Sequence, residues 1–144
     1  DADVSLKYGD IADTVLRVQK EAAREGVEFM WYSPTPICML NPIQHRLGNK
    51  GCAACDGLLS ISPSGDVLPC SSWPEPVGNI LRDGFHQVWD SVRARRLREK
   101  QFAVPMCQSC ADFALCQGAC PLYWKHFGYD ELNTFGGHYV ASTR

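Results

Sequence analysis

The chain has 144 residues, a formal charge of -2 and 45% apolar residues, room for one compact domain or a small domain plus part of another, but not for a second complete catalytic domain. The near-neutral balance excludes a global electrostatic case for binding nucleic acid or an anionic membrane. No run approaches the ~20 apolar residues of a membrane-spanning helix, and Asp1-Ala2-Asp3-Val4 lacks the basic and apolar regions of a signal peptide.

These features point to a cytoplasmic compartment, and a chain that begins without methionine suggests a piece of something longer. Asp10 is a plausible N-cap, and Ile11, Val15, Val18 and Ala22 recur at helical spacing until Gly26. Val27-Glu28-Phe29-Met30-Trp31-Tyr32 comes next, a β-prone and almost continuously apolar run closed by Ser33-Pro34-Thr35-Pro36. Helix then buried strand is the grammar of an α/β unit, and a single unit cannot bury both faces of its strand. Residues 1–36 are therefore expected to be the end of a parallel α/β domain; the alternative is a short N-terminal helix packed on the cysteine-rich domain.

Farther on, Gly57 to Ser62 and Val67 to Cys70 flank Pro63-Ser64-Gly65-Asp66, a turn sequence, so a β-hairpin is expected to present Cys70 at the end of its second strand. A second helix is expected with Phe85, Val88, Trp89, Val92 and Leu97 on one side and Arg93, Arg95, Arg96 and Arg98 over the rest. With so little net charge, those arginines read as a solvated face in preference to an anionic docking patch. There is no internal repeat and no low-complexity segment.

The cysteines are the outlier. Cys38, Cys52, Cys55 and Cys70 precede a long gap, after which Cys107, Cys110, Cys116 and Cys120 crowd together. Four disulfides would suit a small secreted domain short of a core, which this composition does not describe. Thiolates spaced x2, x5 and x3 can wrap a metal centre because each turn redirects the next sulfur toward a common point. The small pair Gly118-Ala119 lets backbone pass close to a bulky inorganic core. Zinc is the competing reading: Cys52-x2-Cys55 and Cys107-x2-Cys110 would serve as knuckles, but the x5 and x3 continuation is poor zinc-ribbon spacing. Cys116-x3-Cys120-Pro121 resembles the ending of bacterial ferredoxins, whose cysteine before proline serves the other of two clusters. It suggests that Cys120 joins Cys52, Cys55 and Cys70.

Taken together, Cys55 or Cys52, the Gly65-x4-Cys70 step, and Cys107-x2-Cys110-x5-Cys116-x3-Cys120 resemble the SPASM domain, the C-terminal extension of many radical-SAM enzymes that mature ribosomally made peptides and proteins. Gly78-Asn79-Ile80 with Phe85 and Trp89 is similar to that family's linking segment. The resemblance covers about residues 38 to 125. It implies one auxiliary [4Fe-4S] cluster on Cys52, Cys55, Cys70 and Cys120, and three corners of a second on Cys107, Cys110 and Cys116. The family's last cysteine is absent, which leaves the fourth corner to Cys38, to His138, to a cysteine beyond Arg144, or to an open site. His45, His86 and His126 carry no ligand spacing.

The cysteine triplet with which such enzymes cleave S-adenosylmethionine is missing; where a third cysteine would come after Cys120 stands Tyr123. S-adenosylmethionine and a third cluster are thus expected only in an upstream barrel, the implied partner, with a peptide as the implied substrate. The implied fold is α+β. Residues 37–144 form a small cysteine-rich domain with a β-hairpin, a helix and cluster-binding loops, and residues 1–36 the last α/β unit of a partial barrel. The implied role is electron transfer and substrate positioning, with Trp73, Trp89, Phe113 and Trp124 as candidates for an apolar shell. The alternative is a zinc-stabilised protein-binding module without a redox role.

Overall fold

The computed structural model describes residues 5–135. Helix α1, Tyr8–Arg24, starts one turn earlier than its most obvious capping residue: Lys7 is the N-cap and Asp10 lies inside the first turn. There its carboxylate meets the positive end of the helix dipole. The helix stops where Gly26 takes φ +67 and the Val27 N–H reaches back to the Ala22 carbonyl at 2.8 Å, a glycine-terminated end of the Schellman type.

The apolar run Val27 to Tyr32 is not a buried strand. No strand is assigned to it, and Val27, Met30 and Tyr32 are 60%, 51% and 71% exposed. Phe29 and Trp31 turn inward onto a small core of Val15, Leu40 and Leu47, and the Trp31 N–H donates to the Leu47 carbonyl at 2.9 Å. From Glu28 to Tyr32 the side chains alternate out and in as they would on a strand, but a ladder needs a neighbour, and the described residues supply none.

The sheet has three antiparallel strands in the order β1 (Ser60–Ile61), β2 (Asp66–Leu68) and β3 (Gly78–Asn79). Gly65 closes the β1–β2 turn with φ +82, and a Cβ there would lie 2.7 Å from Leu81 Cγ. One residue, Asn79, ties the sheet to the next helix. Its side-chain oxygen accepts from the Leu81 and Arg82 N–H groups, and its Nδ2 donates to the Ser64 carbonyl and to Asp66 at 3.0 Å each.

The single amphipathic helix expected over the arginine-rich segment is two helices. α2, Ile80–Trp89, is broken internally by Gly84 at φ 72, and α3, Val92–Arg98, restarts at Ser91, whose side chain accepts from the Ala94 N–H. The break takes Phe85 and Val92 out of the core, at 51% and 60% exposed, while Val88, Ala94, Val67, Val77 and Cys55 form the core beneath the sheet. Four short helices follow among the described residues: α4 (Pro105–Gln108), α5 (Phe113–Cys116), α6 (Pro121–Phe127) and α7 (Asp130–Phe135). Their core is Tyr8, Ala119, Trp124 and Leu132, so α1 is docked on the C-terminal helices. The Tyr8 and Tyr123 rings meet at a tilt with centroids 3.9 Å apart, and the Gly9 N–H donates to Glu131 at 2.7 Å. The architecture is α+β. Among the described residues no helix is long and apolar enough to cross a membrane.

Candidate metal centres

Each cysteine is delivered by a turn or a helix end. Cys55 stands at φ 54, in a loop where its N–H bonds the Leu58 carbonyl and the Leu58 N–H bonds Ala53. Left-handed backbone at a residue with a Cβ costs roughly 1–2 kcal/mol, and it curls Cys52-x2-Cys55 into a tight arc. Cys70 lies two residues beyond β2 after the buried Pro69. Cys107 lies in α4, Cys116 ends α5, and Cys120 is the N-cap of α6 with Pro121 in its first turn. Gln117 and Ala119, between Cys116 and Cys120, are both left-handed at φ 54 and 63. All eight cysteines are free, which removes the disulfide reading.

The electrostatic neighbours of the thiols sort them into two sets. Burial pushes the Cys52 thiol above its usual range, and the nearby Cys120 and Cys70 push it further. Cys55 is raised to about 11 by burial, with Cys52 and Cys70 adding to it against the opposing charge of Arg98. On the other side Cys38 is raised to about 12, first by burial and then by Cys116, Cys107 and Cys110. Cys107 is raised by burial and by Cys116 and Cys110. The sets are therefore Cys52, Cys55, Cys70, Cys120 and Cys38, Cys107, Cys110, Cys116, each mixing residues from both halves of the sequence.

The second set lines one cavity, together with Pro36, Asp112, Phe113 and Trp124, which holds about 400 Å³ of space free of protein atoms, its open mouth included. Four thiols on one apolar-walled cavity are, by donor chemistry, the ligand set of a four-iron cluster, whose corners are cysteine thiolates. Among the described residues no group of three or more His, Cys, Asp or Glu is gathered closely enough to hold a single metal ion.

Residues 52–111 match the family model of SPASM, an iron-sulfur cluster-binding domain. The match holds Cys52, Cys55, Cys70, Cys107 and Cys110, and leaves Cys38, Cys116 and Cys120 outside it. The chain is also 26% identical over 102 residues to the AdoMet-dependent heme synthase of Methanosarcina barkeri, an alignment covering 70% of this chain and 27% of that protein. The chain thus spans about a quarter of that relative's length. No solved structure matches it.

Around the SPASM domain several expected residues find other employment. Of the proposed aromatic shell, Phe113 and Trp124 line the cavity, whereas Trp89 lies beneath the Arg98 guanidinium at 4.5 Å and Trp73 faces Lys125 at 5.6 Å. Gly118 lines the cavity too; a Cβ on it would meet Ala103 Cβ at 2.8 Å, so the closest constraint on its size is protein. The His45 carbonyl accepts from Gln19, and His86 and His126 pack edge-on to Phe85 and Phe127. His138 lies outside the described residues.

Two residues near the SPASM cysteines are not legible from sequence. Tyr8, buried at 5% exposure, donates to the Pro34 carbonyl at 2.5 Å. Its hydroxyl is held protonated well above the usual tyrosine range, first by burial and then by charge on Cys120, Tyr123, Cys116 and Cys52, so it faces both sets. Lys100 is buried beside the Cys52 loop. A lone tyrosine at the first position of a helix and a lysine just after one carry no periodic signal.

Proposed function

We propose that this chain holds two auxiliary [4Fe-4S] clusters as the C-terminal part of a radical-SAM enzyme, on Cys52, Cys55, Cys70 and Cys120 and on Cys38, Cys107, Cys110 and Cys116. The observation that carries the reading is the crossing of the two sets. Cys38 is grouped electrostatically with cysteines some seventy residues later, and Cys120 with those of the first half. A bound cluster accepts or passes on one electron at a time. The protein's part is to hold the thiolates, bury them and exclude water; Trp124, 3% exposed, and Phe113 wall the second site. Burial that raises the Cys38, Cys52, Cys55 and Cys107 thiols also means that loading must displace protons from them.

In this reading residues 1–36 are the last unit of an upstream barrel that binds and cleaves S-adenosylmethionine, and residues 37–144 are the auxiliary domain, working in the cytoplasm. The exposure of Met30 and Tyr32 supports it, because they share the face that such a strand would turn to a missing layer of the barrel. The clusters would then lie beside the substrate, receiving the electron released as a substrate radical is oxidised. Peptide or protein maturation is the substrate class that the SPASM resemblance suggests. A second reading, a haem-forming enzyme, is favoured by the name of the M. barkeri relative.

Anaerobic reconstitution followed by iron, sulfide and zinc analysis tests the proposal. A brown protein with about eight irons per chain, the sum of two four-iron clusters, is expected. A colourless zinc protein would replace it with a zinc-stabilised binding module.

A further inference from the structure

Lysine is almost never buried unless paired, yet Lys100 is 8% exposed. It comes directly after the C-cap of α3 in left-handed backbone at φ 54, anchored by its N–H on the Leu97 carbonyl at 3.1 Å. This bend turns the side chain inward, where Nζ donates to the Cys52 carbonyl at 2.8 Å and to Asp56 Oδ2 at 2.9 Å. Both partners belong to the loop that carries Cys52 and Cys55. The ammonium is thus held by two hydrogen bonds against the backbone and side chain of the loop that would present both thiolates to the cluster. The partner carboxylate cancels only part of that charge, since the Asp56 side chain is 40% exposed and the Lys100 side chain 9%, and water screens the more exposed charge more strongly.

We infer that Lys100 is a positioning residue that sets the reduction potential of the cluster on Cys52, Cys55, Cys70 and Cys120. This rests on the cluster assignment above. Reduction by an external one-electron donor such as dithionite adds one negative charge to a core already anionic with its four thiolates. No bond to Lys100 forms or breaks. A buried cation beside that core stabilises the reduced form more than the oxidised one, as local charge does in iron-sulfur proteins generally, so it raises the potential. Asp56 works in the opposite sense.

The test is an EPR-monitored redox titration of the reconstituted full chain, with the cluster on Cys38, Cys107, Cys110 and Cys116 as internal reference. Lys100→Met is expected to lower the potential of the first cluster, Asp56→Asn to raise it, and Lys100→Arg to keep it near wild type, the reference staying fixed in all three. A merely structural tie would move Lys100→Met and Asp56→Asn in the same direction, because both cut the same bond. That result, or a potential unmoved by either, overturns the inference. If Lys100→Met fails to load the first site, the Asp56→Asn arm decides alone. A wild-type chain that takes up no iron overturns the cluster assignment itself, and the inference with it.

Discussion

Cys38 and Cys120 are the two residues whose partners lie far from them in sequence, and each gives a sharp expectation. Cys120→Ala should remove the signal of the cluster built on Cys52, Cys55 and Cys70, although Cys120 belongs by spacing to the other group; losing only the second cluster's EPR signal would refute the crossing. Cys38→Ala should do the reverse, and a variant that retains both clusters at full iron content would return the fourth corner to another ligand. Gly118 is a residue-scale case of a different kind. Its φ of +75 and the 2.8 Å approach to Ala103 combine a backbone penalty of ~1–2 kcal/mol with overpacking of ~1–3 kcal/mol. Gly118→Ala should lose at least about 2 kcal/mol in denaturant unfolding.

At the scale of elements, Asn79 joins three pieces: it ends β3, caps α2, and holds the β1–β2 turn through Ser64 and Asp66. Losing a side-chain cap costs ~1–2 kcal/mol. Asn79→Ala should therefore destabilise the chain by about 2 kcal/mol, and a melting curve equal to wild type would show that the cap is dispensable. The Gly-Asn-Ile segment is recognisable by resemblance, but its task is not: Gly78 is small because a Cβ would lie 2.8 Å from Val88 Cγ2. The helix end at Gly26 is readable from one residue, since positive φ is local chemistry. The strand expected at Val27 to Tyr32 and the single arginine-rich helix fail for opposite reasons. A strand needs a neighbour that periodicity cannot supply, and a helix can be restarted by a capping serine such as Ser91 without disturbing the apolar pattern.

The described residues are built on three small cores instead of one. Small cores supply few kcal/mol and usually need staples. Clusters on the two crossed sets would join residue 38 to the 107–116 stretch and residues 52–70 to Cys120, and metal ligation then contributes folding free energy directly. Air oxidation or chelation should accordingly bleach the protein and lower its Tm in one cooperative step. An unchanged melting curve after bleaching would separate the clusters from the fold's stability.

From the residues alone came the thiolate ligand chemistry and the turns that present the cysteines, because spacing, glycine and proline act over a few positions; the α+β class came with the resemblance. Which cysteine joins which set is suggested by likeness, and its support is tertiary: Cys38 meets Cys107 and Cys116, and Cys120 meets Cys52, only when loops from both halves pack on the core of Tyr8, Ala119 and Trp124. The inward turn of Lys100 belongs there too. Its partners lie 44 and 48 residues away, a separation at which no local pattern operates.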